Sequence, residues 1–338
     1  MDPLVFEPYF RPQVWGGRRL EQFLGRPLPD ERDFGEAWML SAQSLHVSRV
    51  AEGPLQGSLL SDLWSSRAAQ LDGQAHGPAA PFPLLIKFLD CRELLSIQVH
   101  PNDQIARELG AGELGKSEAW VVLDAEPAAR IYAGLRQGTT CDDVRRQLDR
   151  GTLAESLHEF SPRKGDCLFL PAGVVHAVGG GVLLAEVQQS SDATFRLFDW
   201  NRLGADGKPR TLHRDEALRS IDWTAGPVTP AVGSPLEGLA PGNRGQRLVA
   251  CPHFTLDRFT LTSPWDLPRA PCAAWSVRFS IWIVLEGRVE LRRQESGYRR
   301  HFRRGETVLV PAASGACSWM PSEGSVTLLG VSVPCVTH

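Results

Sequence analysis

Apolar positions along this chain follow two periods, and short β-type runs outnumber helical ones. Runs over residues 37–40, 84–88, 94–99, 119–123, 129–132, 167–170 and 182–188 are brief, mostly apolar and bounded by Gly, Pro or Asp, which predicts strands. Residues 59–71, 103–109 and 141–157 carry apolar side chains at helical spacing, the last through Val144, Leu148, Leu153 and Leu157, which predicts amphipathic helices. Many short strands separated by turn residues point to a sandwich or barrel. Residues 224–245 are rich in Pro and Gly and read as a linker or long surface loop. Beyond it the β pattern resumes over residues 254–262, 274–285, 287–292, 306–310 and 325–331. The expected organisation is a first unit over residues 1–223, a linker over 224–245 and a second β unit over 246–338.

Chemistry is concentrated in the first unit. In Ile97-Gln98-Val99-His100-Pro101 the alternation of a strand sends Gln98 and His100 to one side while Ile97 and Val99 pack on the other. Glu118 follows in Gly115-Lys116-Ser117-Glu118-Ala119-Trp120. His176 stands just beyond a buried run that ends in Pro171-Ala172-Gly173. Gln98, His100, Glu118 and His176 are thus candidate ligands of one metal. Nitrogen and oxygen donors without thiolate suit zinc or another divalent first-row ion. The remaining histidines (His46, His76, His158, His213, His253, His301 and the terminal His338) lie in polar or turn-like contexts and are not assigned as ligands. The phrase over residues 305–316 repeats the spacing of residues 165–176, but Ala316 stands where the first copy has His176. The second unit is therefore expected to be free of metal and to serve packing and closure of the site.

Residues 165–176 resemble the second cupin motif. The run over 82–90, leading into 95–101, resembles the signature of type I mannose-6-phosphate isomerases. Trp15-Gly16-Gly17, Gly35-Glu36-Ala37-Trp38-Met39-Leu40-Ser41-Ala42, residues 188–196 and Asp199-Trp200-Asn201-Arg202 are similar to further segments of that family, in the same order. The interval between Glu118 and His176 is too short for the helical insertion of long members, so the chain resembles the short bacterial form.

The resemblance implies a mainly β protein of two cupin-type, jelly-roll β-barrel units with a few short helices, the second lacking metal ligands. It implies one Zn2+ per chain and interconversion of mannose 6-phosphate and fructose 6-phosphate through an enediol. Arg196 matches the family's catalytic arginine, and a permanently charged fork suits a developing oxyanion or a phosphate. Lys116 and Ser96, two residues before Glu118 and Gln98, match positions the family uses for substrate. Lys116 is a candidate phosphate contact or proton shuttle, and Ser96 a candidate phosphate donor. Glu186 is a candidate for acid–base work or for hydrogen bonding sugar hydroxyls. Trp15, Trp38 and Trp120 could floor a sugar pocket, with core packing expected of most of them, whereas Arg18 and Arg19 read as a solvated face.

Composition narrows the setting. A formal net charge of −3 over 338 residues, with no basic stripe, argues against a nucleic-acid partner. Seven scattered cysteines without a C-x-x-C pair read as buried apolar residues. With no leader-like start and no apolar run of membrane-spanning length, the expectation is a cytoplasmic enzyme acting on a small sugar phosphate, as monomer or homodimer. The residues alone leave three other uses of such a site open. They are isomerisation or epimerisation of another sugar phosphate, non-catalytic sugar-phosphate binding, and iron-dependent oxygenation.

Overall fold

In the computed structural model, residues 1–74, 80–110, 112, 114–204, 207–267 and 278–334 are described. His76, His338 and residues 274–277 of the strand expected over 274–285 lie outside them. The chain is mainly β, and its named strand pairs are antiparallel.

The first half builds two facing sheets. One runs Tyr9–Gly17, Phe34–Leu40, Leu84–Cys91, Val182–Gln189, Glu118–Ala125, Cys167–Leu170. The other runs Phe195–Phe198, Ile97–Val99, His176–Gly179, Arg130–Leu135, Leu157–Phe160. Between them lies an apolar layer that includes Trp15, Leu89, Trp120, Val122, Ile131, Leu168 and Leu184. A second pair of sheets, six- and four-stranded, follows from Ser234 onward. Its interior is aromatic, with Phe259, Trp265, Trp282, Phe302 and Trp319 in mutual contact.

The two six-stranded sheets pack back to back. Ile86, Phe88, Val121, Ala185 and Val187 of the first share one cluster with Leu256, Ile281, Ile283, Leu329 and Val331 of the second. Leu84–Cys91 and Val182–Gln189 are therefore buried on both faces and read as continuous apolar runs rather than alternating ones. Behind the five-stranded sheet, Val144, Leu148, Ala217 and Leu218 of two helices cover Ile97, Val99, Ala177 and Leu197.

Several expected elements change at their ends. The helix expected over 141–157 stops at Arg150, because Gly151 takes a left-handed φ of 71° and caps it. A 3₁₀ turn, Leu153–Ser156, and the strand Leu157–Phe160 follow. Its start is fixed by a capping box between Thr140 and Asp143. The helix expected over 59–71 divides at Arg67 into Leu60–Ser66 and Ala68–Asp72. Within the Pro/Gly-rich segment, the Val228 and Ala231 N–H groups donate to the carbonyls of Ala133 and Cys167 at 3.0 and 2.7 Å. Ser234–Pro235 then joins the second sheet. At the other end, Leu4 pairs with Leu309. Arg19 is not a solvated residue: its backbone N–H and Nε donate to the buried Asp90 carboxylate at 2.7 and 2.8 Å. Among the described residues, Cys91, Cys141, Cys167, Cys251 and Cys317 are free thiols, and no helix is long and apolar enough to cross a membrane.

Candidate metal centre and active site

Register across the first pair of sheets assembles the site in two rows. In the five-stranded sheet Gln98 lies opposite both Arg196 and His176, so Arg196, Gln98 and His176 form one row over three strands. In the six-stranded sheet Trp120 lies opposite Glu186, Glu186 opposite Lys87 and Lys87 opposite Trp38, a row over four strands. Glu118, two residues before Trp120, shares its face. His100 follows the Ile97–Val99 strand, and the turn preceding His176 is tied to it: Gly173, at φ 93°, donates its N–H to the His100 carbonyl at 2.8 Å.

These elements converge three ligand-type side chains. The donor atoms of His100, Glu118 and His176 lie within 4.8 Å of one another, and all three residues are buried. His176 Nε2 is 3.3 Å from Glu118 Oε1, and His100 Nε2 is 3.5 Å from Glu118 Oε2. Each imidazole has its Nδ1 against a backbone carbonyl, His100 at Ala193 (2.7 Å) and His176 at Val174 (2.9 Å). Protonation at Nδ1 leaves the Nε2 lone pairs facing the carboxylate, which is how a metal-binding histidine is oriented. Burial, together with the Lys116 charge, holds both rings neutral: His100 falls well below the ordinary histidine range and His176 drops to about 4. Glu118 Oε1 is buried without a hydrogen-bond donor. An orphaned carboxylate oxygen beside two neutral imidazole nitrogens fits a divalent cation. The Gln98 amide lies 3.3 Å from His176 Nε2, with Ser96 Oγ donating to its oxygen at 3.2 Å.

The expected neighbours are present, with one difference in placement. Lys116 does not stand off from the cluster. Its Nζ is 2.5 Å from Glu118 Oε2 and 3.2 Å from His100 Nε2, and it lies 3.9 Å from Glu186 Oε1. Burial pulls its ammonium toward neutrality, but Glu118 and Glu186 overcome that and keep it charged. Glu186 accepts the Trp120 indole N–H at 3.1 Å and faces Lys87 at 3.5 Å, and its Oε1 has no hydrogen-bond donor. Arg196 reaches the same pocket from the five-stranded sheet. Its backbone N–H donates to His213 Nδ1 at 3.3 Å.

Sequence reasoning missed a second group of lining residues. Lys87 lies 3.6 Å from Glu36 and 4.9 Å above the Trp38 ring, while Arg11 pairs with Asp192 at 3.2 Å. Glu36 also accepts from Gln13 and the Trp38 indole, both at 2.6 Å. Arg210 and Thr194 complete the wall. Trp15 and Trp120 line the pocket, whereas Trp38 lies buried beneath Lys87. A signal for Lys87 was available. A lone lysine inside the apolar strand of residues 84–89 is buried only when paired. Among the described residues the second unit contributes nothing to this lining, so it packs behind the site rather than closing it.

A buried histidine–carboxylate cluster between facing antiparallel sheets defines a mainly β protein with a candidate metal centre. Residues 4–118 match the model of the phosphomannose isomerase type I catalytic domain. The chain is 35% identical over 315 residues to mannose-6-phosphate isomerase ManA of Bacillus subtilis, covering 93% of this chain and 94% of that protein. It is 31% identical to the mannose-6-phosphate isomerase of Streptococcus mutans, over 92% of each. The crystal structure of the mannose 6-phosphate isomerase from Bacillus subtilis superposes with a TM-score of 0.87 at 28% identity, covering 98% of this chain and 100% of that one. The chain belongs to the type I phosphomannose isomerase family.

Proposed function

We propose that this protein is a zinc-dependent aldose–ketose isomerase that interconverts mannose 6-phosphate and fructose 6-phosphate through an enediol. The observation that carries the reading is the buried His100, Glu118 and His176 cluster, set at a pocket whose wall alternates cations and carboxylates. Family membership over nearly the full chain supports it. Gln98, His100, Glu118 and His176 would hold one Zn2+ per chain. When bound, the ion supplies a Lewis acid for the charge that develops on the sugar oxygens at C1 and C2.

The chain's own residues do the rest. Arg196 stabilises the developing oxyanion with a fork that cannot be lost to deprotonation. Glu186, oriented by Trp120 and Lys87, and Lys116, held by Glu118, move the proton between C1 and C2. Ser96 donates to the substrate from the strand that carries Gln98. Residues 1–223 carry catalysis, residues 224–245 link, and residues 246–338 support the first unit from behind. The enzyme works in the cytoplasm, as monomer or homodimer.

A coupled assay of zinc-reconstituted protein on mannose 6-phosphate, fructose 6-phosphate and a panel of other sugar phosphates tests this. Turnover of the mannose–fructose pair, abolished by chelation and restored by zinc, is expected. Turnover confined to another phosphosugar, or binding of mannose 6-phosphate without turnover, would overturn it.

A further inference from the structure

Three guanidinium groups gather at one end of the pocket around a single carboxylate. Asp199 is buried and accepts Arg210 through both oxygens, from Nε at 2.7 Å and from Nη2 at 2.6 Å, and also accepts Arg202 Nη2 at 2.6 Å. Arg196 stands beside this pair, and its proton affinity is lowered by burial and by the Arg210 charge. The Arg196 Nε is buried without a hydrogen-bond partner. The nearby Asp192 is engaged by Arg11 at 3.2 Å and faces Lys87 at 4.0 Å. Arg196, Arg202 and Arg210 against Asp199 leave an excess of positive charge, held by the fold before any ligand arrives.

The backbone under this cluster is built for it. Trp200 and Asn201 both adopt left-handed φ, 57° and 55°, a conformation that a bulky residue takes only when its surroundings impose it. The turn is closed by the Arg202 N–H donating to the Asp199 carbonyl at 3.0 Å. It is pinned to the segment before Ser96 by the Trp200 indole donating to Leu95 O at 2.7 Å and by Arg202 donating to Leu94 O. Asp199 is thereby fixed, and it uses two edges of the Arg210 fork while leaving Nη1 for a ligand. Arg210 and Arg196 both line the pocket.

We propose that Arg210 grips the phosphate of the substrate, and that Asp199 is the positioning residue that sets the Arg210 fork. This rests on the phosphosugar reading above and deepens it. A phosphate monoester carries a charge of about −1.5 to −2 at neutral pH, which matches the local excess, and its oxygens accept planar guanidinium forks two at a time. The bound dianion also relieves the repulsion that Arg210 exerts on the neighbouring Arg196. Lys116, committed to Glu118, serves the metal end instead.

The test uses full-length, zinc-loaded protein and two readouts, calorimetric binding of inorganic phosphate and steady-state kinetics on mannose 6-phosphate. Arg210→Met weakens phosphate binding and raises KM by about ten- to a hundredfold, with a smaller fall in kcat. Arg210→Lys, which keeps the charge and guards against a folding defect, recovers only part of the loss because the fork is gone. Asp199→Asn weakens phosphate binding in the same direction, and combining it with Arg210→Met adds little further loss, as expected if it acts through Arg210. Phosphate bound by Arg210→Met as tightly as by the parent, with thermal unfolding unchanged, would overturn the proposal. So would an Asp199→Asn protein that loses thermal stability but no phosphate affinity. A parent that binds inorganic phosphate at this corner yet turns over no phosphosugar would instead defeat the isomerase reading and leave this one standing.

Discussion

The two β units share a strand plan and differ in what fills it. In the first, Glu118 lies opposite Leu170, at the end of the strand that leads through Pro171 to His176. In the second, Ser280 lies opposite Val310, at the end of the strand that leads through Pro311 to Ala316. The Trp120–Glu186–Lys87 row has its counterpart in Trp282, Gly330 and Asp257. A tryptophan thus persists, but its indole donates to Glu186 in one unit and to Ser280 Oγ, at 2.8 Å, in the other. Where the first interior holds imidazoles and carboxylates, the second stacks Trp265, Trp282, Trp319, Phe259 and Phe302. A buried charge is tolerated only when paired or bound to a metal, whereas an aromatic ring gains from burial and asks at most for an acceptor for its N–H, as Trp282 finds in Ser280. One sandwich can therefore be a reaction vessel or a keystone, depending on a handful of inward positions.

The largest effect expected from breaking this contrast is at the ligands. His100→Ala lowers turnover by well over about a hundredfold, since residues that merely orient ligands already cost 10- to 100-fold. Coupled kinetics in excess zinc, with circular dichroism as a check on folding, measures it. Next comes Arg196→Ala, which lowers kcat on mannose 6-phosphate by about a hundredfold with a smaller rise in KM. Arg196→Lys does not restore it.

A third test exploits the neutral imidazoles, which the second interior lacks among the described residues. In chelated protein His176 titrates at about 4, below its unfolded value, so the unfolded chain binds the proton first as pH falls. The stability contributed by the neutral ring is complete above about pH 6.5 and is lost at about 1.4 kcal/mol per pH unit down to about pH 4. His100 adds loss in the same direction. Urea unfolding of the chelated parent and of His176→Ala, each from pH 7 to 5, should show the steeper fall in the parent.

The smallest effect is the mirror of the first. Trp282→Phe removes part of the aromatic keystone and the Ser280 hydrogen bond, costing about 1–3 kcal/mol on unfolding. Metal content and kcat stay at parental levels.

Much of this contrast was legible in the sequence, and for a local reason. A strand repeats its facing every second residue, so Gln98 with His100, and Lys116 with Glu118, could be assigned to common faces from spacing alone. The missing histidine at Ala316 was equally plain. What spacing could not give was register between distant strands. The row of Arg196, Gln98 and His176, and the row of Trp38, Lys87, Glu186 and Trp120, exist only once separate strands pair. For the same reason Arg11, Glu36 and Arg210 escaped notice, as did the contact that Lys116, expected as a phosphate contact or proton shuttle, makes with Glu118. The overlong helix was a different failure. Apolar spacing runs through Gly151, but the left-handed cap there ends the helix.

The central claim is that one metal binds, in the first unit, through His176 and its partners. Elemental analysis of purified, zinc-saturated and desalted protein tests it most directly, on the parent and on His176→Ala in parallel. The account predicts about one zinc per chain in the parent and close to none in the variant, with both folded. A full zinc equivalent retained by His176→Ala, or two per chain in the parent, would contradict it.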